Sequence, residues 1–140
     1  MTLRATFEAE LERRQLTWCT GSCRYRNSHR RGFATPGTVH LDAAIGTRRT
    51  LYRGLHEVAH LVLGHQQRRG ERRWQLEAEA EAWTQQRFTE LGIDLPQASV
   101  EAGRVYVARM RRWGDHISMA AATPRGRRRR RGPFRRSTGT

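Results

Sequence analysis

The sequence predicts a compact α+β domain, and three observations carry that prediction. Residues 47–64 and 71–91 repeat apolar side chains at a helical period. Shorter stretches around Thr17 and Thr38 gather β-branched and aromatic residues instead. Gly and Pro punctuate the boundaries. At 140 residues there is room for one such domain with a modest core.

The first element is an N-terminal helix. Leu3, Phe7 and Leu11 recur at i, i+4 and i+8, with Glu8, Glu10, Glu12, Arg13 and Arg14 around them and Thr2 placed to cap. Thr17 to Tyr25, broken by Gly21, predicts a strand. Asn27 to Arg31 and Pro36-Gly37 are turn signals, and Thr38-Val39-His40-Leu41 predicts a second strand of a small sheet. Thr47 or Thr50 can cap the next helix, which runs through Leu63 and ends near Gly64. Gln66 to Arg73 is a polar connector. A long helix follows from about Glu71 to Leu91, stopped by Gly92 and Pro96, and a last one covers Ala98 to Trp113 with Val100, Val107 and Met110 apolar. Periodicity is lost beyond Gly114. The expected organisation is a domain over 1–116 and a disordered Arg-rich tail over 117–140.

Net charge is +14, and every one of the 27 basic residues is Arg. Eight of them fall in 125–140, which has no acid, so the excess over the body of the chain is milder. No apolar run is long enough to span a membrane, and Met1 to Arg14 lacks the apolar region of a secretory signal. Two cysteines, Cys19 and Cys23, are too few for a disulfide framework, which points to a reducing, cytoplasmic setting.

The chemistry lies in His56-Glu57-Val58-Ala59-His60, an H-E-x-x-H pattern on a helix. Residues four apart project about 40° from each other, so two imidazoles can hold one Zn²⁺. Glu57 falls between them in angle. It can take a proton from a water at the metal without being a ligand. Leu51, Leu55, Val58 and Val62 form a core-facing stripe that Tyr52, Ala59 and Leu63 widen, and the histidines lie on its flank, where a cleft wall belongs.

A third ligand is needed. His65 is nine residues after His56, on the opposite side if the helix continues, and its spacing misses the metzincin pattern by one. It reads as a helix-end residue or as a partner to a ligand. Cys19 and Cys23 are poorly spaced for one metal across a strand, and two small buried thiols is the plainer reading. Glu77 is better placed. On its helix it falls in the same sector as Leu76, Ala80, Trp83, Phe88 and Leu91, and a carboxylate facing the core is costly unless paired or metal-bound. Arg87 shares that sector. Glu81, one turn on, can hydrogen-bond a ligand, while Glu79 points elsewhere and reads as a solvated acid. The competing account is an Ala/Glu-rich helix with no site.

Together, His56-Glu57-Val58-Ala59-His60-Leu61-Val62-Leu63-Gly64-His65 and Glu77-Ala78-Glu79-Ala80-Glu81-Ala82-Trp83 resemble the ImmA/IrrE family of intracellular zincin-like metallopeptidases. They are also similar to the metallopeptidase domain of ArdC-type antirestriction proteins. The resemblance covers roughly Val39 to Trp113. It places Glu77 at the third zinc ligand, Ala80, Glu81 and Trp83 at the following motif positions, and Leu91-Gly92-Ile93-Asp94 at the helix end. The strand at Val39-His40-Leu41 corresponds to the one before the active helix, and Tyr106 and Trp113 resemble a closing Tyr and Trp. Thr84 departs from the family's Ala. A register two residues earlier would put Gln75 at the ligand position, but Gln is a poor zinc ligand and Leu91-Gly92 would lose its spacing.

The resemblance implies a zincin-like fold and zinc-dependent hydrolysis of a peptide bond in a cytoplasmic regulatory protein, such as a DNA-bound repressor in a phage or mobile-element setting. Glu57 would be the base, and Tyr106 would stabilise the oxyanion. The alternative is an antirestriction or nucleic-acid-associated module that keeps the zinc fold and does not cleave. The tail from Arg125 to Arg136 fits either non-specific phosphate contact with nucleic acid or a solubilising extension. Arg68, Arg69, Arg72 and Arg73 read as an exposed loop cluster, and His29, His40 and His116 as structural or surface residues. Oligomeric state is not legible.

Overall fold

The computed structural model describes residues 1–21, 32–68 and 70–122, except for the side chains of Phe33 and of 114–122. Four helices and a three-stranded sheet follow in the order α1 (Leu3–Arg13), β1 (Thr17–Thr20), β2 (Gly32–Thr35), β3 (Thr38–Leu41), α2 (Arg48–Val62), a 3-10 turn (His65–Gln67), α3 (Arg73–Leu91) and α4 (Gln97–Ala122). The architecture is α+β, as the sequence predicts. No helix among the described residues is long and apolar enough to cross a membrane.

Local chemistry sets most boundaries. Thr2 caps α1 by accepting from the Ala5 amide. Thr47 and Thr50, read from sequence as alternative caps, act together at α2: each side chain accepts from the other residue's backbone amide. Gly92 stops α3 in the left-handed conformation, at φ 67.

The sheet departs from expectation in two ways. The predicted strand over Thr17–Tyr25 ends at Thr20, and residues 22–31 lie outside the described ones. The strand β2 was hidden among turn signals. It pairs antiparallel with β3 through the Pro36-Gly37 turn, where Gly37 takes φ 75, while β1 lies parallel on the other side of β3. Among the described residues, the order β1-β3-β2 leaves β2 as an edge strand.

The core joins Phe7 and Leu11 of α1, Val39 and Leu41 of β3, Leu51, Tyr52, Leu55 and Val58 of α2, and Phe88 of α3. Burying each Leu or Val side chain removes apolar area worth about 1.5–3 kcal/mol. Close approach of α1 to α2 depends on Gly54, where an added Cβ would sit 2.8 Å from the Phe7 ring. Phe7 meets Trp18 of β1 edge-on, at 5.5 Å between ring centroids. Thus α2 lies between the sheet and α3, and α4 packs against α3.

Three further readings change. Val62, assigned to the core stripe, is 39% exposed because α2 ends there. Glu10, placed on the polar side of α1, is fully buried and paired with Arg13, Arg14 and Arg87. That pairing explains why Arg87 shares a sector with apolar residues. Burial pushes the Glu10 carboxyl up, but the three guanidinium groups hold it below its ordinary value. Finally, α4 continues past Trp113 to Ala122, so the expected boundary between 116 and 117 falls inside a helix. The basic stretch Arg125–Arg136 lies outside the described residues, as do Cys23 and His29.

Candidate metal centre

His56 and His60 project from α2 toward the antiparallel α3, and Glu77 meets them there. His56 Nε2 lies 3.1 Å from His60 Nε2 and 2.9 Å from Glu77 Oε2, and His60 Nε2 lies 3.5 Å from the same oxygen. Bonds of about 2.0–2.1 Å at tetrahedral angles place ligand atoms about 3.3 Å apart. The three atoms therefore already have nearly the spacing of one face of a tetrahedral zinc site. Their donor set, two imidazoles and a carboxylate, is one that Zn²⁺ takes when a position is kept open. Among the described residues, these three are the group able to hold a metal ion.

Without a cation the same atoms share protons. Burial pushes His56 down, yet the carboxylates of Glu77 and Glu81 lift it to about 10. Burial pushes Glu77 up, and hydrogen bonds from His56 and His60 hold it far below the usual carboxylate range. A proton between His56 and Glu77 thus stands where a divalent ion would compete.

Each histidine has a second partner behind it. His56 Nδ1 is 3.0 Å from Glu81 Oε1, close enough to pair as charges but off the line of a hydrogen bond. Tyr52 donates its hydroxyl to the other Glu81 oxygen, and Gln85 donates to that hydroxyl at 3.4 Å. Burial and the Glu81 charge push the Tyr52 hydroxyl up. Glu81 fits there because Gly103 of α4 has no side chain: a Cβ would come within 2.6 Å of Glu81 Oε1 and closer still to the rest of its carboxylate.

Behind His60 the chain itself turns. Gly64 adopts φ 66, ending the helical path and folding His65 back. This removes the angular objection to His65, which assumed a continuing helix. His65 is buried, and it reaches the back of His60 instead of joining the triad: its Nδ1 is 2.8 Å from His60 Nδ1, and its Nε2 is 2.9 Å from Glu79 Oε2. Glu79 is therefore not simply a solvated acid. It also accepts from Arg68 Nη1 at 2.6 Å, and Arg68 Nε donates to Glu71 at 2.8 Å.

A cleft of about 1030 Å³ opens over the triad, with Glu57 and Tyr106 among its lining residues. Glu57 packs on the edge strand, its Cγ 3.3 Å from the position a Gly32 Cβ would take. Gly32 and Ala34 form another wall. The Ala34 carbonyl accepts from the Gln66 side chain at 3.0 Å, so it points away from β3. Residues of an antiparallel strand alternate in this respect, so Gly32, two residues earlier, also turns its peptide groups away from β3. Trp113 is 50% exposed and is not among the residues lining the cleft. Cys19 lies apart from the triad, its Sγ 3.1 Å from Nδ1 of His40, whose Nε2 is 2.8 Å from Thr35 Oγ1. His40 is therefore tied into the sheet.

Sequence reasoning missed the His65–Glu79 link and the role of Gly103. Only Gly64 signalled the first, and nothing local signals the second, since it joins residues of different helices. Compared with models of protein families, with curated proteins and with solved structures, the chain gives no match, so the functional reading rests on its own residues.

Proposed function

We propose that this chain is a zinc-dependent peptidase of the zincin kind, with His56, His60 and Glu77 as ligands and Glu57 as general base. The observation that carries the reading is the spacing of the three ligand atoms, 2.9, 3.1 and 3.5 Å apart, at the floor of an open cleft. Bound there, Zn²⁺ would supply Lewis acidity, which acidifies a water and polarises a carbonyl. Glu57 would take the proton of the attacking water and pass it to the leaving amine. Tyr106, on α4 at the cleft wall, would donate a hydrogen bond to the oxygen on which charge develops.

An extended peptide suits the cleft because β2 lies at an edge of the sheet among the described residues, and a polypeptide can add a strand to such an edge. The resemblance to ImmA/IrrE-like metallopeptidases points the same way and suggests a cytoplasmic regulatory protein as substrate.

Metal analysis of the purified chain tests the first half. One zinc per chain is expected, lost in Glu77→Ala. A parent protein with no stoichiometric metal would refute the site. Glu57→Gln tests the second half: zinc stays and peptide hydrolysis drops by a factor on the order of 10²–10⁴. A biological activity unchanged by that substitution would favour the non-cleaving alternative.

A further inference from the structure

We infer that His65, anchored by Glu79, is a positioning residue that sets the tautomer of His60 and so presents His60 Nε2 to the metal. The inference rests on the zinc reading of the site and adds residues that the ligand motif does not include. It follows from hydrogen-bond bookkeeping along one chain of atoms. A carboxylate can only accept, so the 2.9 Å contact between Glu79 and His65 Nε2 puts the His65 proton on Nε2. A neutral imidazole then offers a lone pair at Nδ1. The 2.8 Å contact between His65 Nδ1 and His60 Nδ1 must accordingly be donated by His60. With its proton on Nδ1, His60 has its lone pair on Nε2, the atom 3.1 Å from His56 Nε2 and 3.5 Å from Glu77 Oε2.

The chain is held at its outer end. Arg68 donates to Glu79 and Glu71, which ties the carboxylate to the connector between α2 and α3. It is held at its inner end by Gly64, whose left-handed backbone aims His65 back at α2. The two ligands are thereby supported differently. His56 has a carboxylate, Glu81, directly behind it, whereas His60 has an imidazole interposed before its carboxylate. A metal-bound imidazole is oriented and made more basic by what its other nitrogen donates to, and losing such a partner costs about 10–100-fold in metal affinity.

The test uses the full chain, with zinc affinity measured by competition against a chromophoric chelator. His65→Leu keeps an apolar filler and removes both nitrogens; a loss of about 10–100-fold is expected. His65→Gln keeps one acceptor and one donor and should stay within a few-fold of the parent. Glu79→Ala changes a side chain that is 43% exposed, so the fold survives it, and affinity should fall about tenfold. Long-range ¹H–¹⁵N spectra of the zinc-loaded parent should show His60 protonated at Nδ1 and His65 at Nε2. Parental affinity in both His65→Leu and Glu79→Ala would overturn the assignment, as would a His65 nitrogen shift showing direct coordination. A parent chain that takes up no zinc would remove the metal reading itself, an outcome distinct from either.

Discussion

Gly103→Ala sets two effects of opposite sign against each other. In a helix interior, Gly to Ala stabilises by about 0.8–1.0 kcal/mol, so propensity alone predicts a more stable protein. The structure predicts the reverse. The new Cβ would lie 2.6 Å from Glu81 Oε1, and an ordinary contact needs about 3.4 Å, so the carboxylate must retreat by roughly 1 Å. That retreat stretches the 3.0 Å approach to His56 Nδ1 to roughly 4 Å and breaks the bond from Tyr52. A hydrogen bond to a charged group contributes about 1.5–3 kcal/mol, Glu81 is only 14% exposed so little solvent replaces the Tyr52 bond, and the weakened ion pair with His56 adds to the loss. The balance is a net loss of about 1–3 kcal/mol, read as a fall of several degrees in Tm. Zinc affinity should fall with it, by about 10–100-fold, because His56 loses the group behind it. Thermal unfolding of the metal-free chain and a zinc competition titration measure the two effects separately. A Gly103→Ala protein that melts higher and binds zinc as tightly as the parent would refute the placement of Glu81 between α4 and His56.

Other outcomes follow from the same contacts. Arg87→Met strands the buried Glu10 with only Arg13 and Arg14, and should cost about 3 kcal/mol in denaturant unfolding at pH 7. Because Glu10 is lowered on folding, its contribution is present above its unfolded value of 4.5 and is lost as pH falls through the folded value; the penalty should shrink in acid. The metal-free chain should lose stability in base. His56 is raised from 6.5 to about 10, so its share is full below pH 6.5 and lost as pH climbs through 10, which melting curves across that window would show. Zinc must displace that proton, so calorimetry at pH 8 in buffers of different ionisation enthalpy should find about one proton released per metal. Gly32→Ala would put a Cβ 3.3 Å from Glu57 Cγ and 3.2 Å from the His40 carbonyl, and should slow peptide hydrolysis while zinc binding persists.

The helices were legible in the sequence because their signals are local. Thr2, Thr47 and Gly92 act within one turn of where they stand, and Leu51, Leu55 and Val58 share a face through spacing alone. The strand Gly32–Thr35 was not legible. It is short, opens with Gly and runs into Pro36-Gly37, so local chemistry spoke for a turn while pairing with β3 made it a strand. At the site, His56, His60 and Glu77 could be nominated because two lie on one helix and the third faces inward on the next. The support behind them could not. His65 reaches His60 only because Gly64 leaves the helical path, and Glu10 is buried only because Arg87, far along the chain, comes to meet it.

That last pair also bears on the order in which the chain can assemble. Glu10 and Arg87 are 77 residues apart, so α1 leaves the ribosome carrying a carboxylate whose distant partner does not yet exist. Until α3 has been made, burying Glu10 must rely on its neighbours Arg13 and Arg14, which are 57% and 31% exposed and screened by water. The full set of partners of Glu10 is therefore complete only once α3 has been made. The proposed metal ligands, 21 residues apart at most, rest on more local contacts. The residues of the proposed triad are thus all made before Glu10 has its distant partner.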